Sequence, residues 1–231
     1  MAVKALKFVL ALYNKQSIYY STVFYVLVIR AIVFDLWGTL VHKGFSVNGE
    51  LLRHFKIRSY HGYLNDYESS LQLRRWRSMD GMSREFLKSF GLSINQKNVR
   101  YVTSLFRKGI NQACLYEGIL EILSSLRRGY CLGLLSNTSV FESRVVSRLG
   151  FRPFFRATVF SWEIGVLKPS KEAFVEIASR LSVKPKECLF IDDTKENVLG
   201  ARRVGMKAIR FTSVKDLNKK LKPYLDGDAR I

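Results

Sequence analysis

Five short apolar segments, separated by segments with helical periodicity, constrain the fold of this chain more than any other sequence feature. Each apolar segment has four or five residues and almost no charged side chains. Such runs are typical of parallel strands that are buried on both faces of a sheet. In chain order they cover residues 31–34, 131–135, 157–160, 188–191 and 208–211.

The segments between these runs carry apolar residues at helical spacing. Glycine follows three of them and proline follows the last, as is typical of helix C-termini. Strands that alternate with helices predict an α/β fold with a doubly wound, Rossmann-like parallel sheet. The predicted helices cover residues 119–128, 140–149, 170–181, 195–204 and 213–222.

Residues 43–116 break this alternation. They show helical patterns at 50–58, 65–77, 83–90 and 96–112, without a convincing pair of strands. We therefore predict a helical domain inserted after the first core strand, with the α/β core formed by residues 29–42 and 117–225. The insert carries 13 Lys and Arg against 5 Asp and Glu.

The two ends of the chain give weaker signals. Residues 1–28 contain two apolar runs, but neither has the cleavage site of a signal peptide or the length of a membrane span. We predict an accessory extension without a membrane span. A loosely packed tail and a segment that contacts a membrane surface or a partner both stay open. Residues 226–231 are predicted to be a tail.

A formal net charge of +19 limits the classes of partner. An excess of positive charge attracts polyanions, and it also suits a small anionic substrate. The segment 73–77, Leu-Arg-Arg-Trp-Arg, mixes arginine with an aromatic ring. It can contact nucleic acid, but we rather expect a solvated basic helix face or an arginine that reaches an anionic substrate. Three widely spaced cysteines favour a reducing compartment, and we predict a cytoplasmic protein. No oligomeric state follows from the sequence.

Polar residues with catalytic potential follow the predicted strands. In open parallel sheets ligands bind beyond the carboxyl ends of the strands, so these residues are expected to meet. A carboxylate before a Gly-Thr turn can act as a nucleophile, with N–H groups nearby to hold an anion. Hydroxyl, amide and ammonium groups can bind a phosphoryl group, and two carboxylates suit Mg²⁺. The residues are Asp35 with Gly38 and Thr39, Ser136 with Asn137, Lys168, and Asp192 with Asp193.

These segments, in this order, resemble the haloacid dehalogenase superfamily of hydrolases. The matching stretches are 34–40 (FDLWGTL), 135–137 (LSN), 168–169 (KP) and 190–197 (FIDDTKEN), with Gly-Ala at 200 and Gly-Met at 205. The insert resembles the family's first-position cap. The resemblance implies that Asp35 is the nucleophile and that Ser136 and Asn137 bind the transferred group. It also implies that Lys168 stabilises that group and that Asp193 helps to hold Mg²⁺.

Two positions depart from the family pattern. Phosphatases of the family usually carry a second Asp two residues after the nucleophile as general acid and base, and this chain has Trp37 there. An indole cannot deliver a proton, but its backbone carbonyl stays available as a metal ligand. Asn197 stands where many members have an acidic residue. Compared with an acidic residue, Asn197 is expected to hold the metal or Lys168 less firmly. We expect Asp192 and Asn197 to lie around the residues that contact the substrate and the metal.

Three functions remain after this comparison. The first is a Mg²⁺-dependent phosphatase that acts on a small organic phosphate through an aspartyl-phosphate. The second is a 2-haloacid dehalogenase that uses Asp35 without metal, which the aromatic Trp37 favours. The third is a non-catalytic polyanion-binding protein with a decayed site. Structural readings also stay open: Asp193 as a helix N-cap, Ser136 as a turn residue, and Trp37 as plain packing.

Overall fold

The computed structural model describes residues 28–58 and 62–225, so the predictions for residues 1–27 and 226–231 lie outside the described residues. It contains seven strands in these residues. They are β1 (Ala31–Phe34), β2 (Val41–His42), β3 (Cys114–Leu115), β4 (Cys131–Ser136), β5 (Ala157–Phe160), β6 (Cys188–Asp192) and β7 (Lys207–Arg210).

Five of the strands form one parallel sheet in the order β5–β4–β1–β6–β7. From the central strand β1 the chain moves outward in one direction to β4 and β5, and then in the other to β6 and β7. Phe34, the last residue of β1, lies opposite Leu134 on one side and Ile191 on the other. The predicted doubly wound α/β fold is confirmed, and the ends of β1, β4 and β6 lie side by side.

Helices cover both faces of this sheet. Successive strand residues point to opposite faces, and in β1 both sets are buried: Ile32 and Phe34 in one apolar cluster, Ala31 and Val33 in the other. This double burial explains why the core strands read as continuous apolar runs. The core helices are α5 (Ile119–Leu126), α6 (Val145–Arg148), α7 (Ser161–Ile164), α8 (Lys171–Arg180), α9 (Lys195–Arg203) and α10 (Val214–Leu221).

Apolar residues of the inserted segment form a third cluster together with Val140 and Phe141 of the predicted core. Its insert members include Leu51, Tyr67, Phe86, Val102 and Phe106. Three of its helices begin after a Ser or Asn side chain that accepts a hydrogen bond from a backbone N–H of the first turn. Its helices are α1 (Val47–His54), α2 (Tyr63–Leu71), α3 (Met79–Ser89) and α4 (Gln96–Asn111). The division into a core and a cap stays a prediction.

The predicted helix 65–77 is wrong at its C-terminal end, because α2 stops at Leu71. The Nε1 of Trp76 donates a 2.7 Å hydrogen bond to the Leu71 carbonyl. In a longer helix a backbone N–H of the next turn would bind this carbonyl, so the tryptophan side chain takes the place of that N–H. Ser78 then caps α3. The arginines of 74–77 therefore lie in a connecting segment and do not form the basic helix face that we expected.

A short antiparallel pair, β2 with β3, joins the two ends of the insert. Val41 lies opposite Leu115, and His42 lies opposite Cys114. Two-residue strands are too short to produce a periodic signal, so no sequence pattern indicated this pair. Within residues 28–58 and 62–225, no helix combines the length and apolarity that a bilayer crossing requires.

Candidate active site

The side chain of Asp35 follows β1 at the centre of the sheet. Its backbone N–H donates to the Ile191 carbonyl of the neighbouring strand, which fixes the residue at the strand end. Its Oδ1 lies 2.5 Å from the Nζ of Lys168. Both residues are buried, at 5% and 4% exposure. The predicted nucleophile and the predicted lysine are therefore in direct contact.

Asp192, the last residue of β6, is fully buried and holds the same lysine. Its Oδ2 lies 2.7 Å from the Nζ of Lys168. It also accepts hydrogen bonds from the Thr194 N–H at 2.8 Å and from the Asn197 Nδ2 at 3.0 Å. Asn197 thus orients the carboxylate that positions Lys168. Thr194 is the N-cap residue of α9, and among the described residues no side chain caps this helix, so the N-cap interpretation of Asp193 is not supported.

Burial dominates the electrostatics of this cluster. Loss of solvent, together with the nearby charges of Asp192 and Asp193, raises the pKa of Asp35 to about 7 even though Lys168 opposes the change. Burial alone would lower the pKa of Lys168, but Asp192 and Asp35 raise it above its ordinary value. Burial and the charge of Asp192 also raise the pKa of Asp193. The cluster therefore has excess negative charge that a cation would relieve.

Three carboxylates converge at this point. One oxygen each from Asp35, Asp192 and Asp193 lie within 4.8 Å of one another. Gly38 allows Asp193 to approach, because a Cβ at position 38 would lie 2.5 Å from the Asp193 Oδ2. Its φ of +82° is also a conformation that glycine adopts at little cost. The absence of a side chain at Gly38 thus leaves room for the carboxylate of Asp193 beside the turn.

The predicted group-binding residues follow β4. Ser136 is 1% exposed, and its hydroxyl donates a long 3.4 Å hydrogen bond to the Asn137 carbonyl. The Asn137 amide is locked to Lys168: its Oδ1 accepts from the Lys168 N–H at 2.8 Å, and its Nδ2 donates to the Lys168 carbonyl at 3.0 Å. The same Nδ2 donates to the Oε2 of Glu68 at 2.8 Å. A substrate oxygen that took this donor would have to displace Glu68.

Two polar groups of the turn after Asp35 already have hydrogen-bond partners within the protein. The Gly38 N–H donates to the Val41 carbonyl at 2.8 Å, so this N–H is not available to hold an anion in this structure. Thr39 is fully buried, and its Oγ1 has no hydrogen-bond partner within the described part of the chain. The indole of Trp37 is half-buried, and its Nε1 donates to the Thr138 Oγ1 at 3.1 Å. Trp37 therefore both packs and supports the loop after β4.

The chain segment that carries Lys168 also packs against α9. Gly200 of α9 faces Pro169, and a Cβ at position 200 would lie 2.7 Å from the Pro169 Cβ and 2.9 Å from its carbonyl oxygen. This close approach fixes the segment that carries Lys168 against α9. The Gly-Ala pair of the sequence motif thus contributes to the position of a side chain in the site.

Two contacts between the insert and the core were not predicted from the sequence. One is the hydrogen bond from Asn137 to Glu68 of α2. The other joins the Nζ of Lys43 to the Oε1 of the buried Glu142 at 2.6 Å, with Lys43 also lying 4.5 Å from the centre of the Trp37 ring. The only sequence signal for the first contact was an acidic residue in a basic insert, which by itself has no specificity. The second contact joins a basic residue of the insert to an acid of the core and had no such signal.

The sequence matches the haloacid dehalogenase-like hydrolase family over residues 29–205, which is most of the chain. The chain belongs to this family. The resemblance that the four motifs suggested is thereby confirmed, and the haloacid dehalogenase-like core is the part of the molecule that carries the carboxylate cluster.

Individual relatives of this haloacid dehalogenase-like protein include phosphatases. It is 36% identical to a glyceraldehyde 3-phosphate phosphatase of Methanopyrus kandleri over 49% of each chain. It is 27% identical to a phosphoglycolate phosphatase of Synechococcus elongatus over 79% of this chain and 84% of that one. The chain therefore spans about half the length of the Methanopyrus relative.

Solved structures share the fold. A haloacid dehalogenase family enzyme of Bacteroides thetaiotaomicron in complex with magnesium is 20% identical, with a TM-score of 0.63 over 84% of this chain and 98% of that one. The L-2-haloacid dehalogenase of Xanthobacter autotrophicus, with chloropropionic acid covalently bound, is 21% identical, with a TM-score of 0.56 over 84% and 83%. Because both have similar TM-scores, the fold alone does not choose between their chemistries.

Proposed function

We propose that this haloacid dehalogenase-like hydrolase is a Mg²⁺-dependent phosphatase that acts on a small organic phosphate with Asp35 as nucleophile. The observation that carries this proposal is the buried contact of Asp35 with Lys168 beside the carboxylates of Asp192 and Asp193. The phosphatase relatives support it. The basic insert, proposed here to act as a cap over residues 43–116, favours an anionic substrate.

The carboxylate cluster fits Mg²⁺. Asp192 is already bound by Lys168, Thr194 and Asn197, so Asp35 and Asp193 are the carboxylates left to hold a metal, together with the Trp37 carbonyl. Hard oxygen donors of this kind are those that Mg²⁺ prefers. When bound there, the ion would neutralise charge on the phosphoryl oxygens and on the two carboxylates.

Each residue of the site has a separate role in the proposed phosphoryl transfer. A carboxylate oxygen of Asp35 attacks phosphorus, the bond to the leaving oxygen breaks, and an aspartyl-phosphate forms. Water then attacks phosphorus, which releases phosphate and restores Asp35. Lys168 holds the orientation of Asp35 and offers positive charge to the phosphoryl group. We assign phosphoryl binding to Ser136, to Asn137 once its Nδ2 has released Glu68, and to the Gly38–Thr39 turn once the Gly38 N–H has released the Val41 carbonyl. Asn197 and Asp192 hold Lys168 in place.

Hydrolysis of p-nitrophenyl phosphate tests the assignment. Wild-type protein should release p-nitrophenol with added Mg²⁺ and not with excess chelator, and Asp35→Asn should abolish the release. Asp216→Asn is the matched control, because Asp216 pairs with Lys220 on the surface of α10. Full activity in Asp35→Asn would overturn the proposal.

Dehalogenation is the alternative that the same nucleophile permits, and the aromatic Trp37 favours it. Here Asp35 would attack carbon and expel halide, which needs no proton and no metal. Chloride release from 2-chloropropionate in excess chelator, without phosphatase activity, would replace our proposal with this one. The neighbouring carboxylates of the buried Asp192 and the half-buried Asp193 argue for the metal-dependent reaction.

We also propose a polyanion-binding surface, with single-stranded nucleic acid as its ligand. Two adjoining grooves, of about 290 and 470 Å³, lie where residues 75–77 face the loop after β4. They share Arg75, Val140 and Arg144, and no carboxylate lines either of them. The guanidinium of Arg74 lies 4.2 Å from the centre of the Trp76 ring, which leaves less room for base stacking and favours contact with phosphates.

Salt-dependent binding tests this surface. The double variant Arg75→Ala/Arg144→Ala should weaken binding of a labelled oligonucleotide and lower its salt dependence. The control Lys219→Ala/Lys220→Ala removes the same charge from α10, away from the groove. Equal effects of the two double variants would show that only net charge matters. Binding without turnover of any phosphate ester or haloacid would favour the non-catalytic alternative.

A cytoplasmic location is also part of the proposal. All three cysteines are free thiols, and Cys188 is buried while Cys114 is exposed. Free thiols of this kind agree with a reducing compartment.

A further inference from the structure

Among the described residues of the insert, the carboxylate that contacts the predicted phosphoryl-binding loop is that of Glu68. It lies in the middle of α2, and its Oε2 accepts the hydrogen bond from the Asn137 Nδ2. Other insert acids are engaged within the insert: Glu50 with Arg53, Asp80 with Thr103, and Glu85 with Arg74. Glu68 is thus a carboxyl group beside the site that the reaction described above leaves without a role.

The site lacks a proton donor at its usual place. Trp37 stands there, and its indole N–H is donated to the Thr138 Oγ1. Lys168 is held between two carboxylates and has a raised pKa, so it keeps its proton. An alkoxide leaving group needs a proton as its bond to phosphorus breaks, and a positioned acid supplies about 10²–10⁴ in rate. A second carboxyl group in reach of the bound ester would fill this gap.

We propose that Glu68 is the general acid and base of the phosphatase reaction, in the place that Trp37 leaves empty. This inference rests on the proposed function. Protonated Glu68 gives its proton to the leaving oxygen while the phosphorus–oxygen bond breaks, and the alcohol departs. The resulting carboxylate takes a proton from the water that attacks the aspartyl-phosphate, so phosphate leaves and both Glu68 and Asp35 return to their starting forms.

The surroundings of Glu68 agree with this role. The Asn137 amide binds one of its oxygens, while Oε1 has no hydrogen-bond partner among the described residues. Burial raises the pKa of Glu68, and the charges of Asp192 and Glu142 act in the same direction, while Asn137 and Lys168 oppose them. The neighbouring Tyr67 keeps its proton, because burial and nearby acids raise its pKa. A carboxyl group with a raised pKa keeps its proton to a higher pH than an ordinary glutamate does.

Two esters with different leaving groups test the proposal. p-Nitrophenolate leaves without a proton, whereas the alkoxide of glycerol phosphate does not. Glu68→Gln should lower kcat/KM for glycerol phosphate by about 10²–10⁴ and for p-nitrophenyl phosphate by less than about tenfold. Asp66→Asn, on the same helix, is the matched control and should act on both esters as wild type does.

Three outcomes would overturn it. Equal losses on the two esters would mean that Glu68 only supports the structure, and no loss on either would exclude it from the reaction. Failure of wild-type protein to hydrolyse both esters would instead remove the proposed function and this inference together. A pH profile of the wild type gives a readout without any variant. The rate on glycerol phosphate should fall as Glu68 loses its proton, and this limb should be missing with p-nitrophenyl phosphate.

Discussion

The Nζ of Lys168 lies 2.5 Å from the Oδ1 of Asp35, although 133 residues separate the two along the chain. Their side chains are only 1% and 8% exposed. With so little solvent, the charge of Asp35 is stabilised mainly by Lys168, and the charge of Lys168 is stabilised by Asp35 and Asp192. A buried pair of this kind leaves an uncompensated charge when one partner is removed.

Lys168→Met should therefore destabilise the protein strongly. It leaves Asp35 and Asp192 buried beside each other without a cation. We expect the free energy of unfolding at neutral pH to fall by about 3–5 kcal/mol, measured by urea denaturation with chelator present. Lys171→Met, at an exposed position in α8, should change it by less than about 0.5 kcal/mol. Equal midpoints for the two variants would contradict this account of the contact.

Gly38→Ala should disrupt the site, because its Cβ would overlap the Asp193 carboxylate. Gly91→Ala is a matched control: Gly91 also has a positive φ, of +62°, but no other atom lies within 4 Å of a Cβ there. Both variants should lose about 1–2 kcal/mol of stability through backbone strain. Only Gly38→Ala should also raise the Mg²⁺ concentration needed for half-maximal phosphatase activity.

Gly200→Ala tests the support beneath Lys168. Alanine in a helix interior is ordinarily better than glycine by about 1 kcal/mol. Here the added Cβ meets Pro169, and overpacking typically costs about 1–3 kcal/mol, so we expect a net loss of stability together with a lower kcat. Gly129→Ala has no atom within 4 Å of the added Cβ and should leave kcat unchanged. A more stable, fully active Gly200→Ala would show that the close approach is not needed.

Glu142 should make stability depend on pH. Burial opposes its ionisation, but Lys43 and the hydrogen bonds from Ser139 lower its pKa below the ordinary 4.5. Its contribution to stability is then complete above pH 4.5 and is lost as the pH falls through the lowered value. Glu142→Gln should cost about 1–3 kcal/mol at pH 7. Its deficit relative to wild type should shrink in acid, as followed by urea denaturation at several pH values.

The control for this measurement is Glu117→Gln, at an exposed position before α5. It should match wild type within about 0.5 kcal/mol at pH 7. A deficit of Glu142→Gln that stays constant from pH 7 into acid would mean that the ionisation of Glu142 does not contribute to stability.

The core strands were predicted nearly to the residue. The apolar run 131–135 corresponds to β4 (Cys131–Ser136), and the run 188–191 corresponds to β6 (Cys188–Asp192). The insert was predicted less well. The helix expected at 65–77 ends at Leu71, because a tryptophan side chain five residues away supplies the hydrogen bond to its carbonyl. Helical periodicity carries no information about such a contact.

The sequence by itself determined the doubly wound sheet and the position of each polar residue at a strand end. Burial on both faces produces an apolar run that is visible locally, and parallel strands bring their carboxyl ends to one edge. Only the tertiary structure decided which side chains touch there. Three side-chain hydrogen bonds illustrate this: Asn197 donates to Asp192, Trp37 donates to Thr138, and Asn137 donates to Glu68. These contacts join segments that are distant in sequence, so they depend on how the insert packs on the core.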